Sequence, residues 1–188
     1  HQKALAAQQA GEFKDEITPI ELIEKFPNLG TGAIDLKTRT MSLDEGPRAD
    51  TSMEGLGKLK PAFKNGGQVT AGNSSQTSDA AAFVLVVSER FVKEHNLQPI
   101  ARMVTSASVG VDPTIMGIGP VAAIPKALKQ AGLNLNDIEL LELNEAFAAQ
   151  SLAVIKEANL NTDIINVNGG AVALGHPLGA SGTYLFQK

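Results

Sequence analysis

The stretch that most limits what this chain can fold into is Asn166 to Gly182, NVNGGAVALGHPLGASG, which runs on from the β-branched pair Ile164 and Ile165. It contains Gly169, Gly170, Gly175, Gly179 and Gly182. Glycines at this density allow positive φ angles and close approach of backbone to a ligand. An apolar strand that ends in such a loop and leads into a helix is how open α/β sheets place ligand sites at their strand ends. His176 sits between Gly175 and Pro177, so a restricted backbone holds it. An ordinary imidazole titrates near neutrality and suits proton transfer. The bland alternative is a solvated turn histidine.

The surrounding pattern agrees with a layered α/β fold. Residues 1–13 read as a helix stopped at Gly11, and Thr18 to Lys25 as a short helix with Pro19 in its first turn. The rest of residues 1–76 is rich in loops. From Ser78, SDAAAFVLVVSERFVKEHN reads as a helix start, a buried strand and a second helix. ARMVTSASVGV and IELLEL read as strands, PVAAIPKALKQAGL as a helix from Pro120 to Gly132, and NEAFAAQSLAVIKEAN as a helix capped by Asn144. Strands alternating with helices predict an α/β domain. The opening helix lacks an N-cap and GASGTYLFQK ends after two turns, which leads us to expect a segment of a longer chain.

With 188 residues, 43% of them hydrophobic, the chain can bury a core in one or two globular units. A net charge of −4 with scattered Lys and Arg leaves no footprint for nucleic acid. No apolar run reaches the roughly 20 residues a membrane-spanning helix needs, and no signal peptide is legible. Zero cysteines remove disulfides and thiol nucleophiles, and fit a reducing compartment; we expect a cytoplasmic protein. His1, His95 and His176 have no zinc-ligand spacing, so no metal is expected.

Four further patterns bear on chemistry. Asn144 follows the IELLEL strand, at the edge where ligands bind, although an N-cap role is the plainer reading. Thr70 to Gln76, TAGNSSQ, offers hydroxyls and amides to a polar ligand, or merely a polar loop before a helix. GIGPVA at Gly117 to Ala122 imitates a dinucleotide fingerprint, but Pro120 removes a backbone N–H and Asp112-Pro113 breaks the strand before it. GASG around Ser181 is not a G-x-S-x-G elbow, so Ser181 reads as a cap or a packing residue.

NEAFA and NVNGGAVALGHPLGASG, in that order, resemble the thiolase family of acyl-CoA acyltransferases. Other segments agree in order: HQKALAAQQAGEFKDEITPI, EGPR at Glu45 to Arg48, LGKLKPAF at Leu56 to Phe63, VTAGNSSQTSDAAAF at Val69 to Phe83, and MGIGP at Met116 to Pro120. The resemblance covers essentially the whole chain. It implies a layered α-β-α-β-α fold, present in part and lacking most of the N-terminal half and the extreme C-terminus. Residues 1–76 would be the later part of an inserted loop domain, 77–98 the end of the N-terminal half, and 99–188 most of the C-terminal half.

The resemblance also implies roles. His176 matches the histidine that activates a nucleophilic cysteine, and Asn144 matches the asparagine that holds a catalytic water in an oxyanion hole. Phe147 and Met116 match neighbours of the acyl and pantetheine groups, and Ser75 and Ala71 match pantetheine contacts. Arg48 lies in the region that meets the nucleotide end of coenzyme A, and Gly175 belongs to the substrate-binding GHP motif. Coenzyme A is then a co-substrate, acyl-CoA the substrate class, and the complete protein a dimer or tetramer. No prosthetic group is implied.

This sequence also departs from the family. The two family cysteines, a nucleophile and the acid/base of a C-x-G-G-G motif, are both missing, which predicts that the chain alone is inactive. Ala80 replaces the usual glycine of SDGAA, and TYLFQK diverges after GASG. GNSSQTSD and EGPR resemble the degradative 3-ketoacyl-CoA thiolases of fatty-acid β-oxidation more than acetyl-CoA acetyltransferases, while HPLGASG leans the other way. Competing readings are a thiolase-derived CoA-binding or interaction module without catalysis, and an oxidoreductase built on GIGPVA.

Overall fold

The computed structural model describes residues 1–188. Its centre is a short parallel pairing. Leu141 pairs with Ile165, through Leu141 N–H to Ile164 O at 2.9 Å and Asn166 N–H to Leu141 O at 3.0 Å. Two helices cover it, α4 (Gly119–Ala131) and α5 (Ala148–Glu157). The buried core is Leu143, Val154, Leu160 and Ile165, against which Val121, Ile124, Leu135 and Ile155 pack. Helix α4 has the punctuation expected of it: proline in its first turn, and Gly132 in the left-handed region at its end, where the N–H of Leu133 bonds Leu128 O.

Helix α1 (Gln2–Ala10) ends at Gly11 as the sequence indicates, with φ 81°. Its buried residues Ala4 and Ala7 are small, so it lies close upon the glycine loop: a Cβ on Gly169 would stand 2.6 Å from that of Ala4. Lys3 Nζ, donating to Ile165 O at 2.9 Å, ties the same helix to the central pairing. Near the other end of the chain, Lys188 pairs with Glu16 beneath the rings of Phe13 and Tyr184. The shorter helices are α2 (Met53–Gly57), α3 (Glu89–Glu94), α6 (Ala171–Leu174) and α7 (Ser181–Gln187).

Three sequence expectations are corrected. Thr18 to Lys25 is not a helix: Ile20–Pro27 forms strand β1, antiparallel to β2 (Ile34–Met41), with Ile20 opposite Met41 and Pro27 opposite Ile34. The Asn28 side chain makes the turn, accepting from the N–H groups of Gly30 and Thr31. Turn chemistry and β-branched Ile20 and Ile23 outweigh Pro19 as a helix signal. Second, Asn144 does not cap α5, which starts at Ala148 with Phe147 at its N-cap. Residues 146–147 are held against 74–75, with Ser75 N–H bonding Ala146 O at 3.0 Å, so the chain cannot coil until that pairing ends.

Third, Ser78 starts no helix, and the apolar segments Phe83 to Val87 and Ala101 to Val111 form neither helix nor paired strand. Phe83, Leu85 and Val86 are 84%, 82% and 78% exposed. Backbone hydrogen bonds number 76, where a chain of this length ordinarily makes roughly 130. The surface is 14007 Å², against roughly 8,600 Å² for a compact monomer of this mass. The excess exceeds a standard protein interface several-fold. In light scattering, the purified chain is therefore expected to self-associate; a monodisperse monomer at micromolar concentration would contradict the exposed surface.

Candidate functional site

The site is assembled where the end of the central pairing meets the glycine loop. Asn166 is buried and has φ 45°, a left-handed conformation that asparagine tolerates better than most residues. Its side chain completes the ladder in place of backbone: Leu143 N–H donates to Oδ1 at 2.8 Å, and Nδ2 donates to Leu143 O at 2.9 Å. Nδ2 also donates to Glu145 Oε1 at 2.9 Å. The second carboxylate oxygen of Glu145 accepts from Val172 N–H at the start of α6. Asn144 is thus held between two anchored neighbours. A Cβ at Gly170 would lie 2.2 Å from the Glu145 carboxyl carbon, so a side chain there would push the carboxylate off its partners Asn166 and Val172.

The second wall is the loop around His176. Gly175 has φ 98°, and a side chain there would run into Ser78 Oγ at 2.1 Å, so this position accepts only glycine. The turn that follows brings the N–H groups of Ala180 and Ser181 onto Pro177 O, each at 2.8 Å, and opens α7. It also returns the Ser181 hydroxyl to the imidazole, at 2.6 Å from Nδ1, while Ser181 Oγ donates to Pro177 O at 2.9 Å. The other ring nitrogen, Nε2, stands 3.3 Å from Asn144 Nδ2. His176 and Asn144 come from separate segments and meet side chain to side chain.

Residues 74–76 join these walls. Ser75 N–H bonds Ala146 O, and Gln76 O accepts the His176 N–H at 3.0 Å. The Gln76 side chain donates to Gly46 O at 3.0 Å and to Ala173 O at 3.2 Å. Thr70 and Asn73 lock the preceding turn by a reciprocal capping box. Beside His176, a cleft of about 410 Å³ opens between residues 78–82 and 177–180.

The remaining sequence candidates are placed as follows. Phe147 stands at the N-cap of α5 with its ring edge-on to Phe63, centroids 5.9 Å apart. Met116 is exposed in the turn Pro113–Ile118, which Gln150 of α5 holds by donating to Gly117 O at 2.9 Å. Ala71 begins the turn Ala71–Asn73. Arg48 is exposed and occupied by Asp50, donating to its two carboxylate oxygens at 3.0 and 2.8 Å. Those hydrogen bonds, and then the guanidinium charge, hold the Asp50 carboxyl below the usual carboxylate range. Two residues before Asn144, burial pushes the Glu142 carboxyl up, with the Lys188 charge partly opposing. His176, Asn144, Gly175, Ser75 and Phe147 are therefore brought together, whereas Arg48 and Met116 lie outward.

Ser181, Gln76, Asn166 and Glu145 lie in segments that the sequence singles out, but their individual roles in building the site are visible only in the structure. Only Asn166, directly before the glycines, carried a readable signal, as a residue suited to positive φ. Removing its amide strands buried backbone groups of Leu143. Asn166→Ala is expected to cost about 2–4 kcal/mol in urea unfolding, while Asn161→Ala, which removes an exposed turn hydrogen bond to Asp163 N–H, should cost under about 1 kcal/mol.

Known proteins resemble this chain in sequence and in fold. Residues 1–90 match the thiolase N-terminal domain and residues 97–188 the thiolase C-terminal domain. A peroxisomal 3-ketoacyl-CoA thiolase 1 of Arabidopsis thaliana is 50% identical over 97% of this chain and 40% of its own length. The crystal structure of the Bacillus anthracis acetyl-CoA acetyltransferase superposes with a TM-score of 0.88 at 47% identity, covering 99% of this chain and 45% of that one. Human mitochondrial 3-ketoacyl-CoA thiolase in complex with CoA gives a TM-score of 0.81 at 47% identity, covering 98% of this chain and 43% of that one. This chain spans about two fifths of the length of the relatives it matches. Both family domains match in order and nearly end to end, and the fold superposes over almost every residue: the chain belongs to the thiolase family.

Proposed function

We propose that this chain supplies the histidine and asparagine of a thiolase site, in a parent enzyme that cleaves 3-ketoacyl-CoA to acetyl-CoA and a shortened acyl-CoA, or runs the reverse condensation. The observation that carries this is the meeting of His176 Nε2 with Asn144 Nδ2 at 3.3 Å, from segments far apart in sequence. His176 takes the proton of a thiol borne by a segment outside these residues. The thiolate attacks the 3-keto carbon, and the bond between C2 and C3 breaks to release the acetyl-CoA enolate, which is then protonated. The thiol of coenzyme A takes the acyl group from the enzyme. Donors in place before charge develops stabilise such oxyanions by a few kcal/mol each, and the imidazole N–H and a water held by Asn144 suit that task.

Gly175, Ser75, Ala71, Phe147 and Met116 line the path of the acyl-pantetheine arm. Arg48 meets the phosphates at the nucleotide end after exchanging Asp50 for them. Residues 1–76, 77–98 and 99–188 are then an inserted loop domain, the end of one half and most of the other. We take the parent to be a 3-ketoacyl-CoA thiolase on the strength of GNSSQTSD and EGPR, although relatives of both names are similarly close. We further propose a homo-oligomeric parent in a reducing compartment. A cytoplasmic location stands beside relatives whose names place them in peroxisomes and mitochondria.

The lack of cysteine favours a second reading, a CoA-binding module without catalysis. Two measurements separate them. The purified chain alone should release no acetyl-CoA from acetoacetyl-CoA; detectable release would refute its dependence on thiols from elsewhere. A chimera in which residues 1–188 replace the matching segment of an active thiolase that carries both family cysteines outside that segment should be active. In that chimera His176→Ala should lower kcat by roughly 10²–10⁴-fold and Asn144→Ala by roughly 10²–10³-fold, each with little change in KM. A folded, CoA-binding and inactive chimera would favour the module.

A further inference from the structure

We infer that Ser181 is a positioning residue that holds neutral His176 in the tautomer with its proton on Nδ1, leaving the Nε2 lone pair toward Asn144; this deepens the reading of His176 as the base and rests on it. Ser181 Oγ lies 2.6 Å from His176 Nδ1 and 2.9 Å from Pro177 O. Ser181 is only 6% exposed, so water does not compete for these contacts. A serine hydroxyl has one proton to give, and a carbonyl has none. Ser181 therefore donates to Pro177 O, and the proton on the other line comes from the imidazole. The reverse arrangement would leave two oxygens 2.9 Å apart with no proton between them.

The same assignment makes the far edge of the ring complementary, because Nε2 then accepts from the Asn144 amide. The hydrogen bond at one ring nitrogen thus decides the state of the other. The backbones that carry imidazole and hydroxyl are both held: the backbone N–H of His176 is bound to Gln76 O, and Ser181 begins α7 at the end of a hydrogen-bonded turn. A base needs its lone pair facing the group that loses the proton. Ser181 sets that orientation before substrate arrives, without touching substrate.

The test is nitrogen-15 NMR of the histidine-labelled chain at about pH 9, above the ordinary imidazole range, recorded on sedimented protein so that self-association does not interfere. His1 is an internal reference of opposite sense, since its Nδ1 accepts from Arg48 N–H and its proton lies on Nε2. The expected result is Nδ1–H for His176. Ser181→Ala should lower the ratio of Nδ1–H to Nε2–H by roughly 2–13-fold, the factor that the worth of one hydrogen bond represents, and Ser181→Thr should restore it. Nε2–H as the main form in the unaltered chain would overturn the inference without any variant, as would an unchanged ratio in Ser181→Ala. An inactive chimera with His176 in the Nδ1–H form would count against the catalytic reading alone.

Discussion

The structure turns on the side chain of Asn166, which does the work of a missing strand residue. By bonding both the N–H and the C=O of Leu143, its amide extends the pairing of Leu141 with Ile165 beyond the point where the backbone turns away. A buried backbone group without a partner costs about 1–3 kcal/mol, so a chain that turns at this depth needs such a substitute. The same amide reaches Glu145, whose carboxylate closes the start of α6. One side chain therefore determines where the pairing stops, where Asn144 stands and how the glycine loop begins.

From that anchor the site needs small residues and a crossbar. Glycines at 170 and 175 let Glu145 and Ser78 come closer than any side chain would permit. Residues 74–76 then lie across both walls, bonding Ala146 on one side and His176 on the other. Each polar group on this path has a partner, and the imidazole is bonded at both ring nitrogens and its own backbone N–H. Such preorganisation is what catalysis by proton transfer and oxyanion stabilisation demands.

The interior stands in contrast with the surface. Buried residues cluster in the pairing, in α1 and Phe13, in α5 and Leu160, and in the glycine loop as far as Ser181, while apolar residues such as Phe83, Leu85, Val86 and Met103 face outward. Hydrophobic segments with no neighbour to bury them neither pair nor coil, because nothing offsets the entropy of ordering them. The missing strands and the large surface have this one cause.

What depends on local chemistry and on motif is legible along the chain: α1 ended by Gly11, α4 bounded by Pro120 and Gly132, and His176 and Asn144 as candidates within an α/β chain of thiolase type. Sequence reasoning misreads elements whose fate depends on distant partners. Ile20 to Pro27 became a strand because Ile34 to Met41 is there to pair with it, Asn144 lost its cap role to the contact of 146–147 with 74–75, and Phe83 to Val87 found no partner. That Asn166 and Glu145 anchor Asn144, that Gln76 spans both walls, and that Ser181 turns back onto the imidazole emerges from the folded chain alone. Those contacts join side chains across loops and turns, and neither hydrophobic periodicity nor residue propensity encodes the path by which such side chains meet.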